Sequence, residues 1–339
     1  MGQSTYAVPF TLHQENRGRL CAALKSKLGD VTGQWIVIEG GKQLTRYWTD
    51  HEPLFRQESY FQYLFGVREP DCYGAIEIGS SRAVLFIPRL PESYAIWMGE
   101  IRPAEHFARH YLLDQVSFGD EVGSKLKEMG ARRLLLLKGL NTDSKEVHQP
   151  AKFPGIEEFE VDDSILHPVF NECRVFKSPE ELKVLRYVNQ VSSRAHVEVM
   201  RRCRPGLAEY QLESIFLNHA YEHGGCRYVS YACICGAGHH SATLHYGHGA
   251  APNDGHVRDG DLVLLDMGAE YHCFASDITC SYPANGKFTE RQKGIYNAVL
   301  KAQLAVMAAM RPGLLWPEMH RLAGQPILFF FLPGSSPCF

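Results

Sequence analysis

Two aspartates inside strand-like sequence are the residues of this chain whose type and spacing most suggest chemistry. They are Asp266 and Asp277, eleven positions apart in the stretch LLDMGAEYHCFASDITCSYP. A chain reversal between Tyr271 and His272 would make one hairpin of residues 261–283. The two aspartates would then lie directly opposite each other, with Cβ atoms about 5 Å apart. Two ionised carboxylates at that distance repel, and apolar neighbours add a desolvation cost.

Three arrangements would relieve this repulsion. One carboxyl group could stay protonated, a basic side chain could lie between the two, or a cation could bind both. Oxygen ligands of this kind suit Mn²⁺, Mg²⁺, Ca²⁺ or Zn²⁺. The alternative is that one or both aspartates lie in the turn and are solvated. Spacing alone supports the solvated and the metal-binding interpretations about equally.

The other residues with ligand chemistry favour structural interpretations. Cys233 and Cys235 would point the same way on a strand, but one intervening residue is not the usual zinc spacing, so small buried side chains are favoured. The pair His239–His240 is interpreted as a surface loop. Ten cysteines, in a chain whose N-terminus lacks the features of a secretory signal, favour reduced thiols and a cytoplasmic location.

Composition and charge exclude several classes of function. The chain has 339 residues, 45% of them hydrophobic, which suits about two domains with a sizeable core. Lys and Arg number 35 against 38 Asp and Glu, for a net charge of -3, so we expect no nucleic-acid and no membrane partner. The apolar run ILFFFL at residues 327–332 is too short to span a bilayer.

The elements of the first half alternate between helix and strand. The segment QENRGRLCAALKSKL carries Leu20, Leu24 and Leu28 on one helical face, whereas WIVIE, CYGAIEI, AVLFI and RRLLLLKG are typical of buried strands. This alternation predicts an α/β domain over roughly residues 1–170.

A capping box, Ser178 to Glu181 with Pro179 at the first helical position, opens the second half. A second helix over about 207–223 follows, and then strand-like segments that include SATLHYGH. Thr289 and Gln292 form another capping pair at the start of a further helix. Helices laid over a sheet predict an α+β layout. The predicted apolar face of the first of these helices consists of Leu182, Leu185, Val188, Ala195 and Val199.

Longer stretches around these residues resemble a known family. LLDMGAEYHCFASDITCSYPANGKFT resembles the metal-ligand hairpin of the Xaa-Pro dipeptidases (prolidases), in the creatinase/methionine-aminopeptidase family, and CICGAGHHSATLHYGHGAAPND resembles the segment before it. LFRQESYFQYLFGVREPDCYG and LFIPRLPESYAIWMGEI look like the N-terminal domain of the eukaryotic enzymes. The similarity runs from about residue 10 to Ala323, with four long motifs in the same order.

The resemblance implies an α/β N-terminal domain over residues 1–174 and the first half of an α+β pita-bread domain over residues 175–323. It implies two metal ions, normally manganese, held by two Asp, one His and two Glu. Asp266 would chelate one ion and Asp277 would bridge both. Such a centre activates water for attack on the carbonyl before proline. The implied substrate is a small dipeptide ending in proline or hydroxyproline, whose tertiary amide has no N–H for an ordinary peptidase to bind.

The resemblance also implies three substrate-binding residues. His245 would hydrogen-bond the scissile carbonyl or its tetrahedral product, although the residue taken alone favours a strand-end histidine paired with backbone. Tyr231 would be a pocket wall, or equally plain core. Trp97 would be a lid residue that covers the partner subunit's site in a homodimer, or an exposed tryptophan without that role.

The resemblance stops after WPEMHRLA. The family continues for well over a hundred residues, which bring the metal-binding histidine and both glutamates, whereas residues 324–339 read GQPILFFFLPGSSPCF, a non-family tail. Gly324 and Pro326 are predicted to end the helix that WPEMHRLA begins. Three of the five expected ligands are thus missing from this chain, and no catalytic set is complete.

Two hypotheses about function follow. The first is a metal-dependent dipeptidase that cleaves Xaa-Pro and Xaa-Hyp dipeptides before proline. The alternative is a catalytically inactive truncated form that at most dimerises through its N-terminal domain. Glu318 and His320 do not replace the missing ligands, because two positions apart on a helix they diverge; we interpret them as helix surface.

Overall fold

The structure is a computed structural model that describes residues 3–247 and 253–331, with side chains described as far as residue 325. It divides into two compact units. Unit 1 comprises Met1–Val188 and Glu270–Ala275, and unit 2 comprises Asn189–Ala269 and Ser276–Phe339. The domain limits expected from the sequence, at residues 174 and 323, stay predictions.

Unit 1 alternates helices and strands, as the sequence predicts. Its strands are β1 (Gln34–Glu39), β2 (Tyr73–Glu77), β3 (Ala83–Ile87), β4 (Gln115–Phe118), β5 (Arg133–Leu136), β6 (Gly139–Leu140), β7 (Val147–His148) and β8 (Glu160–Asp162). Its helices are α1 (Thr11–Leu28), α2 (Ser59–Phe65), α3 (Tyr94–Met98), α4 (Ala104–Tyr111), α5 (Val122–Glu128) and α6 (Leu166–Val175).

The main sheet of unit 1 is buried on both faces. Its strand order is β4-β3-β2-β1-β5-β8, with β1 antiparallel to β2 and parallel to β5. Along β1, Ile36 and Ile38 enter one core with α1, α2 and α6, while Trp35 and Val37 enter a second core with α5. A strand covered on both sides needs apolar residues at successive positions. This explains the unbroken apolar run of WIVIE, and the predicted α/β domain is confirmed.

The remaining elements follow α7 (Pro179–Arg202), which belongs to unit 1 as far as Val188. They are α8 (Glu209–Gly224), β9 (Tyr228–Val229), β10 (Ile234–Ala237), β11 (Leu262–Asp266), β12 (Ala269–Tyr271), β13 (Phe274–Ala275), β14 (Thr279–Pro283), α9 (Glu290–Ala309) and α10 (Trp316–Phe331). In unit 2, β10, β11 and β14 form an antiparallel sheet, and α8 packs against β10. The predicted α+β layout is confirmed.

The capping box at the start of α7 is confirmed, but the prediction of which residues form the apolar face of this helix is partly wrong. Ser178 N donates to Glu181 Oε2 at 2.7 Å, and Glu181 N donates to Ser178 Oγ at 3.2 Å. Leu182 is 38% exposed, whereas the polar residues Ser192 and His196 are buried beside the predicted apolar positions. Ser192 Oγ and His196 Nε2 have buried hydrogen-bond partners, whereas His196 Nδ1 is buried with no partner among the described residues.

Two further expectations are wrong. SATLHYG, the described part of SATLHYGH, is not a strand: Gly238–Ala242 form a 3₁₀ helix and a turn continues to Gly247. The hydroxyl of Ser241 donates to the carbonyl of Gly238, which favours this tight turn over an extended chain.

Helix α10 also does not end at Gly324 or Pro326, because it continues to Phe331. Packing against α9 opposes local costs of roughly 1 kcal/mol for Gly and 3 kcal/mol for Pro. The side chains of the apolar run ILFFFL lie outside the described residues. Within the described part of the chain, no helix is long and apolar enough to cross a membrane.

Candidate metal and substrate site

The strand register places Asp266 and Asp277 on one face of the hairpin but not opposite each other. Strands β11 and β14 pair so that Asp266 lies opposite Thr279, and strands β12 and β13 place the reversal between His272 and Cys273. The reversal falls one residue later than predicted, so the predicted direct pairing of the aspartates is wrong. A reversal one residue later shifts the pairing by two positions. Because side chains alternate with period two, both aspartates stay on the same face.

The turn is made by residues whose types do not favour it. His272 has φ 51° and Cys273 has φ 62°, the pair of positive values that a type I′ turn needs and that Asn-Gly provides most easily. Contacts within unit 1 hold this tip: Cys273 Sγ lies 3.7 Å from the Gln57 carbonyl, and Arg56 Nε donates to Glu270 Oε1 at 3.1 Å. Tertiary contacts therefore determine where the hairpin turns.

Tyr231 joins the two carboxylates. Its hydroxyl hydrogen-bonds Asp266 Oδ1 and lies 3.0 Å from Asp277 Oδ1. Burial, and then the two carboxylates, raise the pKa of Tyr231 well above its ordinary value, so the hydroxyl keeps its proton. A phenol has one proton and can donate to one carboxylate at a time. A neutral hydroxyl thus lies between the two acids, an arrangement that the sequence did not indicate.

The hairpin is unusually close-packed between the two aspartates. A Cβ atom at Gly268 would lie 1.9 Å from the carbonyl oxygen of Ser276, so only glycine fits there. Backbone hydrogen bonds continue the pairing on both sides of this point, from Met267 N to Ile278 O at 3.1 Å and from Ser276 N to Ala269 O at 3.0 Å. The backbone that carries the carboxylates is therefore held in one register.

A buried carboxylate organises the segment that follows β10. Glu209, the first residue of α8, is fully buried and accepts hydrogen bonds from Ala237 N at 2.8 Å, Gly255 N at 2.8 Å and the Tyr246 hydroxyl at 2.6 Å. His240 Nδ1 lies 3.0 Å from the same carboxylate. The His240 side chain is 42% exposed, which agrees with its interpretation as surface, but its ring also contacts this buried acid.

The predicted substrate residues lie in different parts of the fold. His245 is exposed in the turn at residues 243–247 of unit 2, and Trp97 is 84% exposed in α3 of unit 1. Tyr231 is the member of this set whose hydroxyl contacts both aspartates. The substrate-binding roles of all three stay predictions.

The two cysteines of ACICG are buried, as predicted. Burial raises the pKa of Cys233 to about 12 and that of Cys235 well above its ordinary value, so both are neutral thiols. Glu318 and His320 are exposed on α10, in agreement with their interpretation as helix surface.

The residues that sequence reasoning missed are Ser192 and His196. They lie four and eight positions after the buried Val188, a spacing that keeps all three on one face of α7. That spacing is the pattern that could have identified them. Both residues contact the backbone of the aspartate hairpin.

The chemistry of the aspartate pair fits part of a site for a hard divalent cation. Carboxylate oxygens are the ligands that Mg²⁺, Mn²⁺ and Ca²⁺ prefer, and the two groups converge on one point, the Tyr231 hydroxyl. Among residues 3–247 and 253–325, no group of three or more His, Cys, Asp and Glu side chains is arranged to hold an ion. Asp266 and Asp277 are thus the candidate ligands in this part of the chain.

Comparison with solved structures defines the class of protein. Proline aminopeptidase P II from Yersinia pestis superposes with a TM-score of 0.78 at 30% identity, covering 95% of this chain and 74% of that one. Zinc-substituted Escherichia coli aminopeptidase P in complex with product gives a TM-score of 0.79 at 28% identity, covering 96% and 74%. An α/β N-terminal domain followed by a pita-bread metallopeptidase domain is therefore the fold of this chain.

Sequence models identify the family. Residues 183–328 match the model of metallopeptidase family M24, and residues 13–136 match the N-terminal domain of aminopeptidase P. The chain belongs to the M24 metallopeptidase family, whose members bind divalent metal. The Xaa-Pro dipeptidases of Pongo abelii and Homo sapiens are both 53% identical to it over 325 residues, which is 96% of this chain and 66% of each relative. The chain thus spans about two thirds of the length of these relatives.

Proposed function

We propose that this chain is a metal-dependent dipeptidase that cleaves Xaa-Pro and Xaa-Hyp dipeptides before the proline. The observation that carries the proposal is the convergence of Asp266 and Asp277 on the Tyr231 hydroxyl. Two acids that share one neutral donor, on a hairpin too tight for any side chain at Gly268, are held close together despite their repulsion. The 53% identity to Xaa-Pro dipeptidases supports the choice of substrate.

Asp266 and Asp277 would hold the metal, for which we propose two manganese ions in the complete site. Bound divalent ions supply Lewis acidity and an activated water. The contribution of Tyr231 is to orient the pair, because its single proton restrains one carboxylate while its oxygen stays near the other.

The proposed substrate contacts come from His245 and Trp97. An exposed imidazole can donate a hydrogen bond to the carbonyl of the scissile amide, whose nitrogen carries no hydrogen when it belongs to proline. The exposed side chain of Trp97 would cover the site of a second copy in a homodimer. We also propose a cytoplasmic location, which the nine free cysteines of the described part of the chain support.

Proline release tests the proposal. Among the described residues, Asp266 and Asp277 supply two of the five ligands that the resemblance implies. The proposal therefore requires that the purified chain with Mn²⁺ releases proline from Gly-Pro with these two, and that Asp277→Asn abolishes the release. Asp143→Asn serves as the matched control, because Asp143 is exposed in the turn between β6 and β7 of unit 1 and the same change there leaves the aspartate pair intact. Chelation of the metal should stop turnover in the wild type and in the control alike.

The dipeptidase proposal also has a defined result that would contradict it. A folded wild-type chain that releases no proline and binds no Mn²⁺ beyond the Asp277→Asn variant would contradict the dipeptidase proposal. It would support the alternative, a non-catalytic chain that dimerises through its N-terminal domain. Mixing with a full-length relative, followed by sedimentation, would then test that dimerisation.

A further inference from the structure

The inference concerns two polar residues on the buried side of the aspartate hairpin. Ser192 and His196 lie one helical turn apart on α7, and their residue exposures are 0% and 2%. A polar side chain is rarely placed in a core without a partner, because an unsatisfied group costs on the order of 1–3 kcal/mol. His196 hydrogen-bonds the carbonyl of Met267, next to Asp266, and Ser192 accepts from Ala269 N and contacts the hydroxyl of Ser276, next to Asp277.

The first contacts hold the strand that carries Asp266. His196 Nε2 lies 2.9 Å from the carbonyl oxygen of Met267, the residue directly after that aspartate. Two residues later, Ala269 N donates to Ser192 Oγ at 3.0 Å. The short segment around Gly268 is therefore fixed at both ends by α7.

Further contacts reach the other strand and the segment of Tyr231. Ser276 Oγ lies 2.7 Å from Ser192 Oγ and donates to the Ala269 carbonyl at 2.8 Å. Ser230 Oγ donates to the same carbonyl at 3.0 Å, and Ser276 N lies 3.2 Å from Ser230 Oγ. These hydroxyls link three backbone segments into one buried network.

The network touches the sequence neighbour of every group that converges at the candidate site. Met267 follows Asp266, Ser276 precedes Asp277, and Ser230 precedes Tyr231. Consecutive side chains of an extended chain point to opposite faces, so a fixed neighbour on the buried face also fixes the functional side chain on the other face. Contacts of this kind behind metal ligands typically change metal affinity 10–100-fold when they are removed.

We propose that Ser192 and His196 are positioning residues that hold Asp266, Asp277 and Tyr231 in convergence and thereby set the cation affinity of the pair. The part that concerns the cation rests on the proposed metal site. The part that concerns convergence does not, because it can be measured without metal.

A pair of variants at one position separates positioning from packing. His196→Gln keeps an N–H donor near the position of Nε2, whereas His196→Leu has similar bulk and no donor. Ser192→Ala removes one hydroxyl with little change of volume and is the milder second variant. Leu212→Ala, at a fully buried apolar position of α8, is the control for general destabilisation of unit 2.

The first readout is fluorine NMR of protein labelled with 3-fluorotyrosine and free of metal. The Tyr231 resonance is assigned by its loss in Tyr231→Phe, and Asp266→Asn shows how far it moves when one acid is neutralised. His196→Leu and Ser192→Ala are expected to shift or broaden this resonance, while His196→Gln and Leu212→Ala leave it at the wild-type position. A resonance that stays unmoved in both His196→Leu and Ser192→Ala would overturn the inference.

The second readout is titration with Mn²⁺ alone. We expect His196→Leu to bind about 10–100-fold more weakly than the wild type, and His196→Gln to recover most of the affinity. Equal losses in His196→Leu and Leu212→Ala would overturn the role in cation affinity, because destabilisation alone would then explain both. A wild-type chain without Mn²⁺ binding contradicts the proposed function instead, and the fluorine measurement still decides whether the residues position the pair.

Discussion

Tyr231 lies where two like charges would otherwise face each other with no group between them. Two carboxylates with a neutral hydroxyl between them are lower in free energy than two carboxylates that face each other directly, because a hydrogen bond stabilises the charged form of the acid that accepts it. The hydroxyl therefore lies between the two carboxylates that would hold a cation. The close contact of Gly268 with the Ser276 carbonyl and the hydrogen bond from Ser276 Oγ to Ala269 hold the backbone that carries the acids in this register.

The residue most sensitive to change on this hairpin is Gly268. We expect Gly268→Ala to destabilise the protein by roughly 2–4 kcal/mol, because the new Cβ meets a backbone carbonyl that cannot move aside. Gly18→Ala is the matched control: it adds the same methyl group inside α1, where nothing lies within 4 Å. The control is expected to stabilise by about 0.5–1 kcal/mol. Urea unfolding measures both, and equal effects would contradict the clash.

A second residue-scale prediction concerns acid. Burial lowers the pKa of His13 from 6.5 to about 4, and its Nδ1 lies 3.1 Å from the Tyr63 carbonyl. Below pH 6.5 the imidazole of His13 is protonated in the unfolded chain but stays neutral in the folded protein until the pH approaches 4. The contribution of His13 to stability is therefore constant above about pH 6.5 and becomes unfavourable between about 6.5 and 4. The expected loss is about 3 kcal/mol. Arg17 and Arg68 repel the imidazolium, and His272, with a pKa lowered to about 3, acts in the same direction.

His13→Asn tests the assignment, because its amide can still donate to the Tyr63 carbonyl but does not titrate. Unfolding free energies at several pH values between 4 and 7.5 should show a shallower fall for this variant. An unchanged slope would assign the acid sensitivity to other groups.

At the scale of elements, α8 and the segment after β10 depend on one acid. All four partners of Glu209 can donate: two backbone amides, the Tyr246 hydroxyl and the His240 ring. Their convergence explains how a sequence that resembles a strand, SATLHYG, becomes a 3₁₀ helix and a turn. The turn that carries His245 is thus shaped by Glu209, 36 positions before that histidine.

Glu209→Gln is expected to cost roughly 2–4 kcal/mol, because an amide directs its two hydrogens at groups that also donate. Glu222→Gln, the same change on the exposed part of α8, should alter stability by less than about 0.5 kcal/mol. Thermal and urea unfolding of the two variants give the comparison. Equal losses would show that the polar contacts of Glu209 are not the cause.

At the scale of the whole molecule, both units leave large apolar side chains exposed, as at Trp48 and Trp97 in unit 1. Unit 1 places both faces of its main sheet under helices. In unit 2, α9 leaves Val299, Leu304 and Met307 between 53% and 62% exposed. Exposed apolar groups that share one helix attract other apolar surfaces.

The chain is therefore expected to self-associate at micromolar concentrations through α9. Leu304→Lys combined with Met307→Lys should reduce the associated species seen in sedimentation velocity. Trp97→Ser, which removes an exposed apolar residue from α3 of unit 1, is the comparison. Association that is lost in the Trp97 variant and kept in the α9 variant would favour the proposed homodimer contact instead.

Local patterns in the sequence were sufficient for most of the elements. The capping pairs Ser178–Glu181 and Thr289–Gln292 form as predicted, since a cap is satisfied within one helical turn. The buried strands of unit 1 were evident as well, because burial on two faces demands unbroken apolar runs. The M24 family was identifiable from long motifs around the two aspartates.

Tertiary structure alone decided the register of the aspartate hairpin, the turn at His272 and Cys273, and the length of α10. Each depends on groups distant in sequence, such as Gln57 for the tip and α9 for α10. The same is true of the Tyr231 hydroxyl, which reaches acids 35 and 46 positions away. Periodicity and caps report interactions within a few residues, whereas a register or a shared proton is set by whichever surfaces pack together once the chain has folded.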